Sequence, residues 1–218
     1  MKVVGVLLIA IAACTASQDL VTRYNDLNIL HTVHKKSVYE HYMLLNKLGN
    51  GTSAKVYTAC ASPTQNRQIF THPPNAIVAV KHILKDDVNI YLQDHANTSH
   101  NRQPAHDITN EIKVLCVLSH PNICALYGVY ETAKELWMVL EFGGGGSLER
   151  YSHEQSGALL IPQPLLYASI TCIAKALKYL HNNGVLHRDI KPANLVVCDG
   201  NIVKLIDFGM STTPSQNT

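Results

Sequence analysis

The sequence predicts an α+β protein of two lobes, strand-rich first and helix-rich later. Three observations predict it. Short apolar runs with period two fill much of the stretch from Tyr42 to Phe142. Apolar residues recur at helical spacing over Ile108–Leu118 and over Leu165–His181. Four consecutive glycines, Gly143 to Gly146, form a flexible break. The organisation expected is a hydrophobic leader-like segment at 1–17, a linker at 18–38, a small antiparallel-sheet lobe with one helix at 39–143, and a helical lobe at 144–218.

Composition allows a sizeable core: 218 residues, 46% hydrophobic and 16% charged. The net charge is +2 and the basic residues are scattered, which leaves no footprint for nucleic acid. Six cysteines (Cys14, Cys60, Cys116, Cys124, Cys172, Cys198) show neither C-x-x-C nor zinc spacing and read as reduced core thiols.

At the N-terminus Lys2 precedes an apolar run, Val3 to Ala13, and then small residues Cys14 to Ser17. That is the layout of a secretory signal peptide, too short to span a bilayer comfortably. Ile11-Ala12-Ala13-Cys14 would also pass as a bacterial lipidation site, and a stray apolar N-terminus is the plain alternative. Membrane association follows only if this segment is retained.

Taken in order, Tyr42–Leu48 and Lys55–Ala59 read as strands around Gly49-Asn50-Gly51-Thr52-Ser53-Ala54. Residues 60–75 read as a loop and Ala76–Ile83 as a strand. Residues 85–106 look like an exposed insertion whose His95, His100 and His106 are solvated rather than metal-bound. Ile108–Leu118 is a helix with Asp107 as N-cap and Pro121 beyond its end. Ala125–Tyr130 and Leu136–Phe142 are strands. In Leu165–His181 the residues Leu166, Ile170, Ile173, Leu177 and Leu180 share a face, and Gly184 stops the helix.

Two charges sit oddly in this pattern. Glu111 falls on the apolar face of its helix, and Lys81 shares a strand face with Ile77, Ala79 and Ile83. Each is costly alone, and together they make sense as an ion pair. Two snorkelling surface residues are the alternative. Gly49 and Gly51 would let backbone N–H groups approach phosphate oxygens.

The densest chemistry lies in His187-Arg188-Asp189-Ile190-Lys191-Pro192-Ala193-Asn194 and in Asp207-Phe208-Gly209. Between them Cys198-Asp199-Gly200-Asn201 is turn chemistry. A two-residue loop at Gly200-Asn201 would set Asn194 opposite Asp207, an amide and a carboxylate suited to Mg²⁺. Slipping the loop by one residue changes that pairing. Asp189 could accept a proton from a hydroxyl, and Lys191 could neutralise charge on a transferring phosphoryl group. A capped hairpin with solvated charges is the bland alternative.

In these residues and their order, the sequence resembles the eukaryotic protein kinase family over about Tyr39 to Met210. The resemblance rests on the glycine loop, Val78-Ala79-Val80-Lys81, the helix glutamate followed by His120-Pro121-Asn122-Ile123, Glu141 to Leu148, and the two segments above. Lys191 is similar to the serine/threonine type. The stretches at 120–123 and 141–148 are similar to tyrosine-kinase-like and MAP kinase kinase kinase members.

The resemblance implies a bilobal kinase-like fold, ATP and Mg²⁺ as cofactors, and a protein substrate. It implies Lys81 on the α- and β-phosphates with Glu111 fixing it, and Leu48, Gly49, Gly51 and Val56 covering the nucleotide. Ala79, Leu140, Glu141, Gly143 and Val196 would form the adenine site, with Leu140 as gatekeeper and Val196 as floor. Asp189 would be the base, Asn194 and Asp207 the metal ligands, and His187 a structural residue under the Asp207-Phe208-Gly209 turn.

Two departures stand out. Ala54 replaces the loop's third glycine, and only Met210 to Thr218 follow Gly209, so an activation segment and an A-P-E motif are not seen. The expectation is a truncated kinase, with an incomplete helical lobe, that binds ATP weakly and phosphorylates proteins poorly. The rival is a catalytically inactive ATP-binding or regulatory module that dimerises through its exposed lobe. Kinase chemistry favours the cytoplasm, and the N-terminal segment suggests the secretory pathway.

Overall fold

The structure, a computed structural model, describes residues 33–50, 54–62, 72–73, 75–85, 108–151 and 161–212. The hydrophobic N-terminal segment, Gly51, Asp107 and the three insertion histidines lie outside these. The described residues divide into two compact units. One holds those of Asn28–Ala105 with Leu126–Phe142, and the other those of His106–Ala125 with Gly143–Thr218. The helix at Ile108–Val117, expected with the first lobe, thus groups with the second unit.

In the first unit the strands are β1 (Val33–His34), β2 (Tyr42–Asn50), β3 (Lys55–Ala61), β4 (Val78–Leu84), β5 (Leu126–Glu131) and β6 (Glu135–Glu141). They form one sheet in the order β1-β5-β6-β4-β3-β2. Only the short β1 runs parallel to its neighbour, and the other ladders are antiparallel.

Alternation sends residues of β4 to opposite faces. Val78 and Val80 join a core with Val38, Tyr42, Ala59, Tyr130, Trp137 and Val139. His82 lies on that side, its ring stacked 3.7 Å from Trp137, a contact worth about 0.5–1.5 kcal/mol beyond burial. On the other face a cross-strand row runs Val56, Lys81, Met138, Val129. Met138 and Val129 are fully buried and Ile83 nearby is buried, so Lys81 does sit among apolar neighbours, with Thr58, opposite Ala79, a polar residue on that face. Ile77 precedes the strand and is exposed.

The β2–β3 ladder is irregular before Gly49. Thr58 Oγ1 spans the irregularity: it accepts from Asn46 N–H at 3.0 Å and donates to Asn46 O at 3.2 Å. Satisfying both backbone groups lets the strand bulge without an orphaned donor.

The second unit contains α1 (Ile108–Val117), α2 (Gln163–Asn182) and a three-stranded sheet of β7 (Gly146–Ser147), β8 (Leu195–Val197) and β9 (Val203–Leu205). In α1 the buried side chains are Asn110, Glu111, Ile112, Val114, Leu115 and Val117. The glutamate therefore does lie on the buried face.

Helix α2 buries Leu165, Ser169, Ala176 and Leu180. This corrects the expected stripe: of its five residues only Leu180 is buried, and Ile170 is 57% exposed. The buried line runs through smaller residues, beside which the bulkier chains lie. Gly184 takes a φ of 71°, the left-handed turn that ends the helix.

The β8–β9 hairpin has a different register from the one expected. Leu195 faces Leu205 and Val197 faces Val203, so Asn194 lies level with Ile206 rather than Asp207. The loop holds three residues, Asp199 to Asn201. Gly200 and Asn201 both adopt positive φ, and asparagine tolerates this better than most residues. Cys198 N–H donates to Ile202 O at 2.7 Å and closes the loop.

The glycine run is packed, not free. Gly145 N–H donates to Val197 O at 2.9 Å, and Gly146–Ser147 pairs with Val196 and Val197. The five cysteines that are described are all free thiols, in line with the sequence reading. Burial raises the Cys116 thiol to a pKa of about 12, so it acts as a small hydrophobe. Among the described residues, no helix is long and apolar enough to cross a membrane.

Candidate active site

The chain leaving α2 builds the site. Val185 is buried, Leu186 N–H and O exchange backbone bonds with Thr212, and His187 turns inward. Arg188 then takes a φ of 67°. A non-glycine residue in this region is strained by about 1–3 kcal/mol and is held there only by its neighbours. The reversal leaves Asp189 partly exposed with a 29% accessible side chain.

His187 supplies much of the hold. Its Nδ1 accepts the Asp189 N–H at 3.2 Å, so the ring proton sits on Nε2 and is donated to Ile206 O at 3.0 Å. The ring meets Phe208 edge to face with centroids 4.7 Å apart. Burial is the largest influence on its pKa and holds it below the ordinary value, which keeps the imidazole neutral in this role. The structural part expected of His187 is the part it plays here.

Lys191 and Asn194 converge on Asp189. Lys191 Nζ lies 2.7 Å from Asp189 Oδ2. Asn194 Nδ2 donates to Asp189 Oδ2 and to Asp189 O, each at 2.8 Å. Pro192 starts the short 3₁₀ turn that carries Asn194 inward, where its rigid φ suits a first helical position. The hydrogen bond to Asp189 is the largest influence on Lys191 and raises its pKa, so it stays an ammonium.

Asp207 follows β9 after one residue, Ile206. Ile206 N–H donates to Asn194 O at 3.0 Å, which ties the two expected ligand segments together despite the changed register. Asp207 has a φ of 65°, and its Oδ1 accepts weakly from Gly209 N–H at 3.4 Å.

The donor set suits a hard cation. Both amide hydrogens of Asn194 are committed to Asp189, so Oδ1 is the atom of this side chain that could meet a cation, and Asp207 could offer a carboxylate. Oxygen donors of this kind fit Mg²⁺.

Other expected site residues pair up within each unit. In the first, Gly49 faces Val56 and Val56 faces Lys81. Ala79 faces Leu140, and Val78 faces Glu141. Leu48 is half exposed. In the second, Gly143 packs on Val196: a Cβ there would stand 2.8 Å from Val196 Cβ. Glu111 is buried at 1% exposure.

Asn110 carries no signal in the sequence beyond that of a polar residue beside Glu111 in a short helix, and Ser211 only that of a phosphorylatable hydroxyl after Gly209; both are buried and bonded to one another. Within the short segment after Gly209, Ser211 is packed, at 4% exposure.

The family profile for the protein kinase domain matches residues 42–218. The chain belongs to the protein kinase family.

Its relatives include the serine/threonine-protein kinase TIO of Arabidopsis thaliana, 30% identical over 82% of this chain and 12% of the relative. Human mitogen-activated protein kinase kinase kinase kinase 3 is 32% identical over 81% of this chain and 17% of its own length. Mouse sperm motility kinase 3A is 33% identical over 80% of this chain and 29% of its own. By family, then, this is a protein kinase domain sequence, similar to proteins named as serine/threonine-protein kinases. It spans less than a third of the length of these relatives.

Proposed function

We propose that this kinase transfers the γ-phosphoryl group of Mg-ATP to a serine or threonine hydroxyl of a protein. The observation that carries the reading is the bonding of Asp189. Its Oδ2 is occupied by Lys191 and Asn194, and neither of them takes Oδ1. A carboxylate fixed on one side keeps the other oxygen aimed and ready to accept a hydroxyl proton. Lys191, held within reach, offers positive charge for the transferring group.

When bound, Mg-ATP supplies the phosphoryl group, and the cation offsets charge on its oxygens. Asn194 and Asp207 would hold the cation. In this reading Lys81, with Glu111 as its carboxylate partner, would hold the α- and β-phosphates. Gly49, Gly51, Val56 and Leu48 would cover the nucleotide. Ala79, Leu140, Glu141, Gly143 and Val196 would take the base.

The test is phosphate transfer from labelled ATP to generic protein substrates, run beside Asp189→Asn. Transfer in the wild type that falls by about 10²-fold or more in the variant supports the enzyme. Mg²⁺-dependent ATP binding with no transfer would point instead to a nucleotide-binding regulatory module. An equal rate in both proteins would sink the proposed base.

A further inference from the structure

Asn110 has none of the roles given above, yet it lies buried in the first turn of α1. Asparagine is a poor helix former because its amide competes with the backbone, and burying that amide is unfavourable unless it is bonded. Its Nδ2 donates to Ser211 O at 2.8 Å and lies 3.2 Å from Ser211 Oγ. Ser211 in turn folds back on Phe208 O, through its hydroxyl at 2.6 Å and its N–H at 3.0 Å. Thr212 then exchanges two backbone bonds of 2.9 Å with Leu186.

Residues 208–212 are thus clasped from two sides. One side is the helix that carries Glu111, and the other is the strand-like entry to His187. Phe208, fully buried, sits within the clasp, directly after Asp207. The left-handed backbone of Asp207 needs neighbours that over-determine it. The bonds from Asn110 end on Ser211, and those from Ser211 end on Phe208, the residue after Asp207.

We infer that Asn110 and Ser211 are positioning residues, a buried clasp that fixes the Asp207-Phe208-Gly209 turn and so aims the Asp207 carboxylate for metal-bound nucleotide. The inference rests on the nucleotide-binding reading above. Asn110→Leu keeps the branched shape, in a bulkier side chain, and removes the donor. It should raise amide exchange at Ser211, Thr212 and Leu186 about tenfold in the nucleotide-free chain. It should also weaken ATP binding about tenfold in Mg²⁺ while leaving binding in EDTA unchanged. Ser211→Ala should move both readouts the same way by less, and the double variant should fall short of the sum because the two act through one network.

A merely structural role would lower binding with and without Mg²⁺ together, and that result overturns the inference. So does unchanged exchange at the three amides. A wild-type chain that shows no Mg²⁺-dependent ATP binding overturns the reading beneath it. Wild-type binding that Asn110→Leu leaves untouched overturns the inference alone.

Discussion

Asn194 holds Asp189 by two atoms at once, its Nδ2 donating to both the backbone carbonyl and the carboxylate Oδ2 at 2.8 Å. One amide therefore fixes both where the aspartate sits and which way it turns. The same bonds decide which atom of Asn194 is left for a cation.

Replacing Asn194 by aspartate tests this double duty. The change keeps the shape and offers more ligand charge, yet it removes both donors and sets a carboxylate against Asp189 Oδ2. A buried carbonyl left unpaired costs about 1–3 kcal/mol. Asn194→Asp should lower unfolding free energy in urea by about that amount and weaken Mg²⁺-dependent ATP binding by about tenfold or more. Tighter binding would show that ligand charge outweighs the positioning of Asp189.

Stability should fall with mild acid. His34, His41 and His187 all have folded pKa values held below the ordinary 6.5, with burial as the largest cause in each. For His34 the neighbouring His41 and Lys36 push the same way. For His41, Lys36 lowers it further and Glu40 opposes. Around His187, the bond to Ile206 O and the charges of Asp207 and Asp189 oppose the shift, and Lys191 adds to it. A depressed histidine pKa means that the unfolded chain binds more protons, so stability is full above about 6.5 and is lost as pH falls from there through the folded values. The urea midpoint should drop between pH 7.5 and pH 5.5, and His41→Gln should flatten the slope. A midpoint that rises on acidification would contradict the buried, neutral assignment.

How far the sequence could be read depended on the range of the interactions involved. Strands β2 to β6, β8 and β9, both helices and the buried placement of Glu111 were legible because periodicity of two or 3.6 is a local signal, whereas the two-residue strands β1 and β7 are too short to show one. Asp189, Lys191 and Asn194 were legible as neighbours because the three lie within six residues, but the bonds that Lys191 and Asn194 make to Asp189 were not. The β8–β9 register was not, because Gly200 and Asn201 can each adopt positive φ and two loop lengths fit the same letters. The buried line of α2 was misread because Ser169 and Ala176 carry weak hydrophobic signals. The clasp between Asn110 and Ser211 was invisible for another reason: it joins residues about a hundred positions apart, and no local pattern announces such a bond.

The glycine run gives the sharpest contrast between reading and structure, and a direct test. Read as a flexible break, it would tolerate alanine with little change. In the structure a Cβ on Gly145 would stand 2.9 Å from Val197 Cβ and 3.0 Å from Val197 O, while its N–H bonds that same carbonyl. Backbone cannot move aside cheaply there, because Val197 is also paired with Val203. Gly145→Ala should destabilise by about 1–3 kcal/mol, the usual result of overpacking. Gly200 supplies the control: its φ of 70° strains any side chain, but a Cβ there meets nothing within 4 Å. Gly200→Ala should therefore show the backbone penalty alone, about 1 kcal/mol. Urea denaturation of both variants separates the two causes, and a Gly145→Ala chain as stable as the wild type would restore the flexible break.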